Sequence, residues 1–163
     1  MKLAVFIPAF NEEQKIGFVI DSIKQNTENF NNCEIIVVDD GSTDKTPEIA
    51  GQHGANVISH KKNRGLGVAF QTGLAKALKD KVDILVTIDA DGQFDPKEIG
   101  KLIEPILNGQ ADIVTGSRFK DKEYTPENIF IQTRMDCVNV GKEKRRDRKN
   151  SFSRKNKRFL RRS

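Results

Sequence analysis

The stretch ILVTIDADGQFDP, residues 84–96, sets Asp89, Asp91 and Asp95 within seven positions, directly after an apolar run. Carboxylates that close repel one another, so a positive partner is expected among them. If residues 89–93 stay extended, Asp89, Asp91 and Gln93 share one face, with neighbours about 6.6 Å apart, twice the strand rise. Oxygen donors of this kind suit a hard cation, Mg2+ or Mn2+, with further positions open to water or phosphate. Gly92 lets a backbone approach a ligand closely. Asp95 reads differently. Asp95-Pro96-Lys97-Glu98 is an N-cap, a proline at the first helical position and an acid two further on, which starts a helix. Two aspartates are thus assigned to a cation and one to a helix.

Three other readings of the motif compete. An EF-hand loop beginning at Asp89 needs Gly at its sixth position and Glu at its twelfth, where this chain has Phe94 and Gly100. Phosphatases of the haloacid-dehalogenase type carry D-x-D-G followed by Thr or Ser on the first strand; here Gln93 follows, on the fourth. The third alternative is an aspartate pair that merely ends a strand. Four further polar strand ends weigh against it.

After the second apolar run, VVDDGS offers Asp39 and Asp40. A carboxylate there accepts N–H bonds from a base or binds ribose hydroxyls; the plain alternative is an Asx turn before Gly41. The ligand role is assigned to Asp39 and the turn to Asp40. PAFNE, after the first run, offers the rigid Pro8, the ring of Phe10 to stack on a base, and Glu12, which could equally favour a helix start. NRGLG could cradle an anion at a helix start. It is no dinucleotide fingerprint, because Phe70 stands where a third glycine belongs, and the chain has no Walker sequence. Arg118 is suited to clamping a diphosphate or to lying solvated at the surface. His53 and His60 have no partners at ligand spacing and receive no role.

These residues need elements to hold them. Apolar, β-branched runs predict strands over 2–8, 34–39, 55–60, 83–88 and 112–117. Between them helices are expected over 12–26, with Ile16, Val19, Ile20 and Ile23 inward, over the second half of 41–54, over 65–80, and over 96–109, kinked at Pro105. Asn11 with Gln14 three residues on reads as a capping box for the first helix. Alternating strands and helices predict an α/β fold with a doubly wound, mostly parallel sheet. Ligands bind such sheets beyond the carboxyl ends of the strands, where every polar motif above falls.

The chain has 163 residues, 36% of them hydrophobic, enough for one domain. Its charge is uneven. Residues 1–128 carry 15 Lys and Arg against 20 Asp and Glu, and residues 129–163 carry 13 against 3. The overall charge of +5 therefore averages an acidic domain and a basic tail, and does not mark a nucleic-acid binder. The tail shows no sustained helical or strand period and lacks regularly interleaved aromatics, so no specific nucleic acid is expected as a partner. It is expected to be disordered, or to be translated out of frame, leaving the domain incomplete at its C-terminal side. Two cysteines without a C-x-x-C fit a reducing compartment and offer no zinc site. The start MKLAVFIPAF is interrupted by Pro8 and followed by Glu12 and Glu13, so it reads as a strand rather than a signal peptide. No run reaches the roughly 20 apolar residues of a membrane span. The expected location is the cytoplasm, with peripheral contact at a membrane face.

In order and spacing, PAFNEE, VVDDGSTDKT, NRGLGVAFQTGLAKA, IDADGQFDP and IVTGSRF resemble the inverting nucleotide-sugar glycosyltransferases of the GT-A fold. Within these they are most similar to the dolichol- and polyprenyl-phosphate mannose and glucose synthases, and the resemblance spans about residues 2–128. It implies a nucleotide-sugar-binding domain over 1–128, a GDP- or UDP-hexose donor, a polyprenyl phosphate acceptor and a divalent cation, Mg2+ or Mn2+. It implies further that Pro8, Phe10 and Glu12 lie along the nucleoside and that Asp39 contacts the base. Asp89 and Ala90 would line the donor site, Asp91 and Gln93 hold the metal, and Arg118 meet the diphosphate or sugar. Asp89 and Asp91 would carry the chemistry. Phe10 replaces a customary Tyr, keeping the ring and losing the hydroxyl. Two alternatives stand beside this expectation: a nucleotide-sugar-binding fragment that does not catalyse, and a D-x-D-G phosphohydrolase.

Overall fold

The run LAVFIPA is apolar throughout because the strand it forms is covered on both faces. The computed structural model describes residues 1–93 and 95–116, and the backbone of 131–134. Along them run β1 (Leu3–Ala9), α1 (Ile16–Thr27), β2 (Cys33–Asp39), α2 (Thr46–Gln52), β3 (Asn56–Ser59), α3 (Leu66–Lys79), β4 (Ile84–Thr87), α4 (Ile99–Leu107), β5 (Ile113–Thr115) and β6 (Ile131–Arg134). A 3-10 turn, Pro96–Glu98, leads into α4.

The strands form one sheet in the order β3-β2-β1-β4-β6-β5. The first four are mutually parallel, and β6 runs antiparallel to both β4 and β5. The expected mostly parallel α/β sheet is therefore present. Its strand order reverses at β1. The chain leaves β1 for β2 on one side, and later returns to place β4 on the other.

Alternation along β1 divides the core. Leu3, Val5 and Ile7 point to one face, where Ile16, Val19, Ile20 and Ile23 of α1, Ala50 of α2, and Ile99, Ile103 and Ile106 of α4 bury them. Ala4 and Phe6 point to the other face and pack against α3. There Phe6 meets Phe70 edge to face, with centroids 5.6 Å apart. Gly73 is the reason α3 lies so close: a Cβ on it would fall 2.4 Å from the Phe6 ring.

Two local expectations are corrected. The first helix begins at Ile16, and Asn11 does not cap it. Asn11 instead adopts φ 56° and its side-chain oxygen accepts from the Thr43 N–H at 2.9 Å. A long-range bond to the neighbouring loop outweighs the local capping box. Second, the sheet continues beyond residue 128. Ile131–Arg134 falls in the span read as a tail, yet pairs on both sides. Four residues are too few for a periodic signal, and this strand owes its place to partners far away in sequence. β6 is inserted between β4 and β5, so β5 forms the edge of the sheet.

Candidate functional site

Register brings the polar strand ends together. Pro8 and Ala9 of β1 stand opposite Val38 and Asp39 of β2, and Asp39 stands opposite Ser59 of β3. On the other side Phe6 pairs with Thr87, and the Ile88 N–H donates to the Phe6 carbonyl at 2.9 Å. Asp89 follows at once. Pro8, Phe10, Asp39, His60 and Asp89 thus gather at one rim, over the point where the strand order reverses, which is where such sheets bind ligands.

The segment after β4 does not stay extended. Ala90 and Asp91 form a turn, Gly92 takes φ 73°, and the Gln93 N–H donates to Asp91 Oδ1 at 3.0 Å. The even spacing of three side chains on one extended face is therefore absent. What persists is the close pair of acids. Burial, and then the neighbouring charge of Asp91, push the Asp89 carboxyl above its usual range. Ala90 is buried, Asp91 half-buried and Gln93 exposed. Asp89 and Gly92 line a narrow crevice with Phe18, Val19 and Ser22 of α1. Asp95 caps the following turn, as expected: its Oδ1 accepts from the Lys97 N–H at 3.0 Å.

Among the described residues no group of three or more His, Cys, Asp or Glu side chains gathers as a metal site. Two carboxylates and an amide, all hard oxygen donors, still fit a divalent cation that takes its other ligands from water or a phosphate. The raised Asp89 fits too, because a cation there would offset both the burial and the neighbouring charge of Asp91 that raise it.

The loops after β1 and β2 are laced together. The Asp40 N–H donates to the Ala9 carbonyl at 2.8 Å, and Asn11 N–H to Ser42 Oγ at 2.9 Å. The Glu12 N–H reaches Thr46 Oγ1 at 2.8 Å, and the Lys45 N–H reaches Glu13 Oε2 at 3.0 Å. Asp44 accepts from the Thr46 N–H at 2.9 Å and from the Glu13 N–H at 3.2 Å. Burial of Asp44 alone would raise its carboxyl, but these bonds outweigh it and the net shift is downward. Glu12 precedes α1, whose first turn holds no acid, and its carbonyl accepts from the Ile16 N–H at 2.9 Å. Phe10, beside this lacing, stands 44% exposed.

Asp39 and Asp40 are both buried, and the expected turn role belongs to the other of the two. Asp39 Oδ1 accepts from the Ser42 N–H, three residues on, at 3.0 Å, and so ties down the turn through Gly41. Asp40 points instead across β3. Its carboxylate accepts from the Arg64 N–H at 3.0 Å, the Gly65 N–H at 2.7 Å and His60 Nδ1 at 2.6 Å. His60, which sequence reasoning left without a role, is thereby part of the rim. Adjacent positions at the ends of paired parallel strands were the available signal, and it needs the register to be read. His53 lies elsewhere, paired with Asp21 between α1 and α2 at 2.9 Å. Arg118 lies outside the described residues. Three other cations, Lys61, Lys62 and Arg64, are exposed on the loop that Asp40 holds.

The family described as Glycosyl transferase family 2 matches residues 4–162. A UDP-N-acetylglucosamine–dolichyl-phosphate N-acetylglucosaminyltransferase of Methanococcus voltae is 41% identical, over 74% of this chain and 53% of that protein. A dolichol-phosphate mannosyltransferase of Pyrococcus furiosus is 38% identical, over 73% of this chain and 34% of that protein. The crystal structure of glucosyl-3-phosphoglycerate synthase from Mycobacterium tuberculosis, in complex with Mn2+, UDP-glucose and phosphoglyceric acid, superposes with a TM-score of 0.65. It shares 26% identity and covers 83% of this chain and 57% of that one. The chain thus spans between a third and somewhat over half the length of these proteins.

Proposed function

Because the chain belongs to glycosyl transferase family 2, we propose that it moves a hexose or N-acetylhexosamine from a nucleoside-diphospho-sugar to a polyprenyl phosphate. The observation that carries this reading is the acidic pair Asp89 and Asp91 at the reversal point of the sheet, level with Pro8, Phe10 and Asp39. Two relatives named for dolichyl-phosphate acceptors support the acceptor class, and a structural neighbour holding UDP-glucose with Mn2+ supports the donor class.

In this reading the nucleoside lies along Pro8 to Glu12, with Phe10 stacked on the base. Asp39 accepts from a base N–H through the oxygen that does not serve its turn. Ala90, which has no bulk beyond Cβ, lets the sugar diphosphate approach the turn, and Arg118 meets the diphosphate. Asp91 and Gln93 are the residues that would hold Mg2+ or Mn2+, with Asp89 beside them. A cation bound there supplies Lewis-acid neutralisation of the departing diphosphate. The acceptor oxygen forms its bond to the anomeric carbon from the opposite face, the bond to the nucleoside diphosphate breaks, and its electron pair leaves with the diphosphate. A polyprenyl phosphate is already ionised, so the chain needs no strong general base. No helix among the described residues is long and apolar enough to cross a membrane. The proposed meeting with a lipid acceptor is peripheral, at the cytoplasmic face.

The test is transfer from labelled UDP-N-acetylglucosamine, UDP-glucose or GDP-mannose to a short-chain polyprenyl phosphate with Mn2+ or Mg2+. Labelled glycolipid from one donor is the expected result. Nucleotide binding without transfer would reduce the chain to a donor-binding unit, and phosphate release without acceptor would favour a phosphohydrolase.

A further inference from the structure

The most heavily bonded side chains at the rim are ones the proposed chemistry does not touch. Asp40 and His60 have side chains only 6% and 8% exposed. The Asp40 carboxylate collects two backbone N–H groups and His60 Nδ1, while the Asp40 N–H is bonded to β1 and the His60 N–H to the Asp39 carbonyl at 2.8 Å. Burial by itself would raise Asp40, but the bonds from His60, Arg64 and Gly65 prevail and hold its carboxyl below the usual range. An ionised carboxylate cannot donate, so Nδ1 of His60 carries the proton in that contact. The other ring nitrogen lies 3.0 Å from Thr72 Oγ1 on α3, and Thr72 bonds the Val68 carbonyl one turn back at 3.0 Å. One chain of contacts thus runs from α3 through His60 to Asp40, and from there to the loop 61–65. That loop packs closely on the loop after β2, since a Cβ on Gly41 would stand 2.4 Å from the Lys62 carbonyl carbon.

We propose that His60 is a positioning residue of the donor site. Acting through Asp40, it fixes the cationic loop Lys61–Gly65 at the end of the strand that carries Asp39. The proposal rests on the donor reading above and adds to it the group that keeps one wall of the nucleotide site in place. Without the imidazole, Asp40 keeps two backbone donors but loses the one that reaches it from β3 and α3. The loop is then held at a single side, and the cations it carries spread over many arrangements of which few suit a nucleotide. A buried network of this kind loses more from one missing partner than an exposed one does.

Three substitutions separate positioning from bulk. His60→Leu fills space without hydrogen bonding. His60→Asn keeps an N–H where Nδ1 lies, within reach of Asp40. His60→Gln carries its amide further, toward Thr72. Affinity for UDP and for GDP with Mn2+ is read by calorimetry, and exchange of the Arg64 and Gly65 amide protons by NMR. For His60→Leu we expect nucleotide affinity to fall about tenfold and the two amides to exchange about tenfold faster, as befits loss of one charge-assisted bond. His60→Asn should regain most of both, and His60→Gln little of either. Should Leu not fold, the order of Asn over Gln carries the test alone. Wild-type affinity and exchange in the folded variants, or Gln equal to Asn, would overturn the proposal while leaving the donor reading intact. A wild-type chain that bound neither nucleotide would overturn the donor reading, and this proposal with it.

Discussion

The two halves of the rim treat their carboxylates in opposite ways. On the side of β1, β2 and β3, Asp40 and Asp44 are surrounded by donors from the protein itself, and both are held below the ordinary carboxyl range against the cost of burial. On the side of β4, Asp89 is raised by burial and by the charge of Asp91. The first half is electrostatically satisfied by its own backbone and side chains. The second sets Asp89 in partial burial beside the charge of Asp91, with no hydrogen bond to balance either effect on it among the described residues. That division suits the proposed function, in which a rigid wall takes the nucleoside and an acidic edge takes the cation. Preorganisation of the wall costs nothing at the moment of binding, because folding has already made those bonds.

The contrast can be broken by substitutions on either half. The largest effect should come from Asp40→Ala, which strips His60 and two backbone N–H groups of a buried charged partner. A loss of about 3–5 kcal/mol is expected, the range for breaking a buried pair from one side, seen as a large drop in urea midpoint. A loss under ~1 kcal/mol would mean the wall is not held there. Thr46→Val comes next. It removes the buried hydroxyl that accepts from Glu12 and donates to Asp44, and should cost about 1–3 kcal/mol in the same urea titration. On the β4 side, Asp95→Ala should cost about 1 kcal/mol, the worth of an N-cap, without altering the wall.

Asp89→Asn should act in the other direction and least of all. A carboxyl raised above its ordinary 3.8 gives stability that is present below that value and lost as pH rises through the folded-state value. At neutral pH without added cation the neutral amide should therefore match or exceed wild-type stability, by less than ~1 kcal/mol because the group is half in solvent. Below about pH 4 the difference should vanish. Asp40 and Asp44 have the reverse sign: their contribution is present above the ordinary value and disappears as pH falls through the lower folded-state values. A destabilised Asp89→Asn at pH 7 would erase the contrast.

The parts of this arrangement that could be read in the sequence are those written in local pattern. EIIVVD and DILVTI are apolar on both faces because parallel strands are covered on both faces, and they announce themselves. The Asp95 cap is local and was legible, as was the gathering of polar groups at the strand ends. Bonds between residues distant in sequence were not. Asn11 resembles a helix cap until the Thr43 N–H, 32 residues away, takes its oxygen. Asp39 closes the turn expected of Asp40, because which of the two does so depends on where His60 and Gly65 stand. β6 has four residues and no period, and enters the sheet through β4 and β5 alone. The turn at Gly92 also escaped, since an extended D-x-D-G and a turned one have the same composition.

The central claim is that Asp91, beside the raised Asp89, holds a divalent cation that secures a nucleoside diphosphate. Its most direct test is calorimetric titration of UDP and GDP into the wild-type chain and Asp91→Ala, each with and without Mn2+. The account predicts that Mn2+ raises wild-type affinity for one nucleotide at least about tenfold and leaves the Asp91→Ala affinity unchanged, as removal of a charged ligand implies. An equal gain from Mn2+ in both proteins would contradict it.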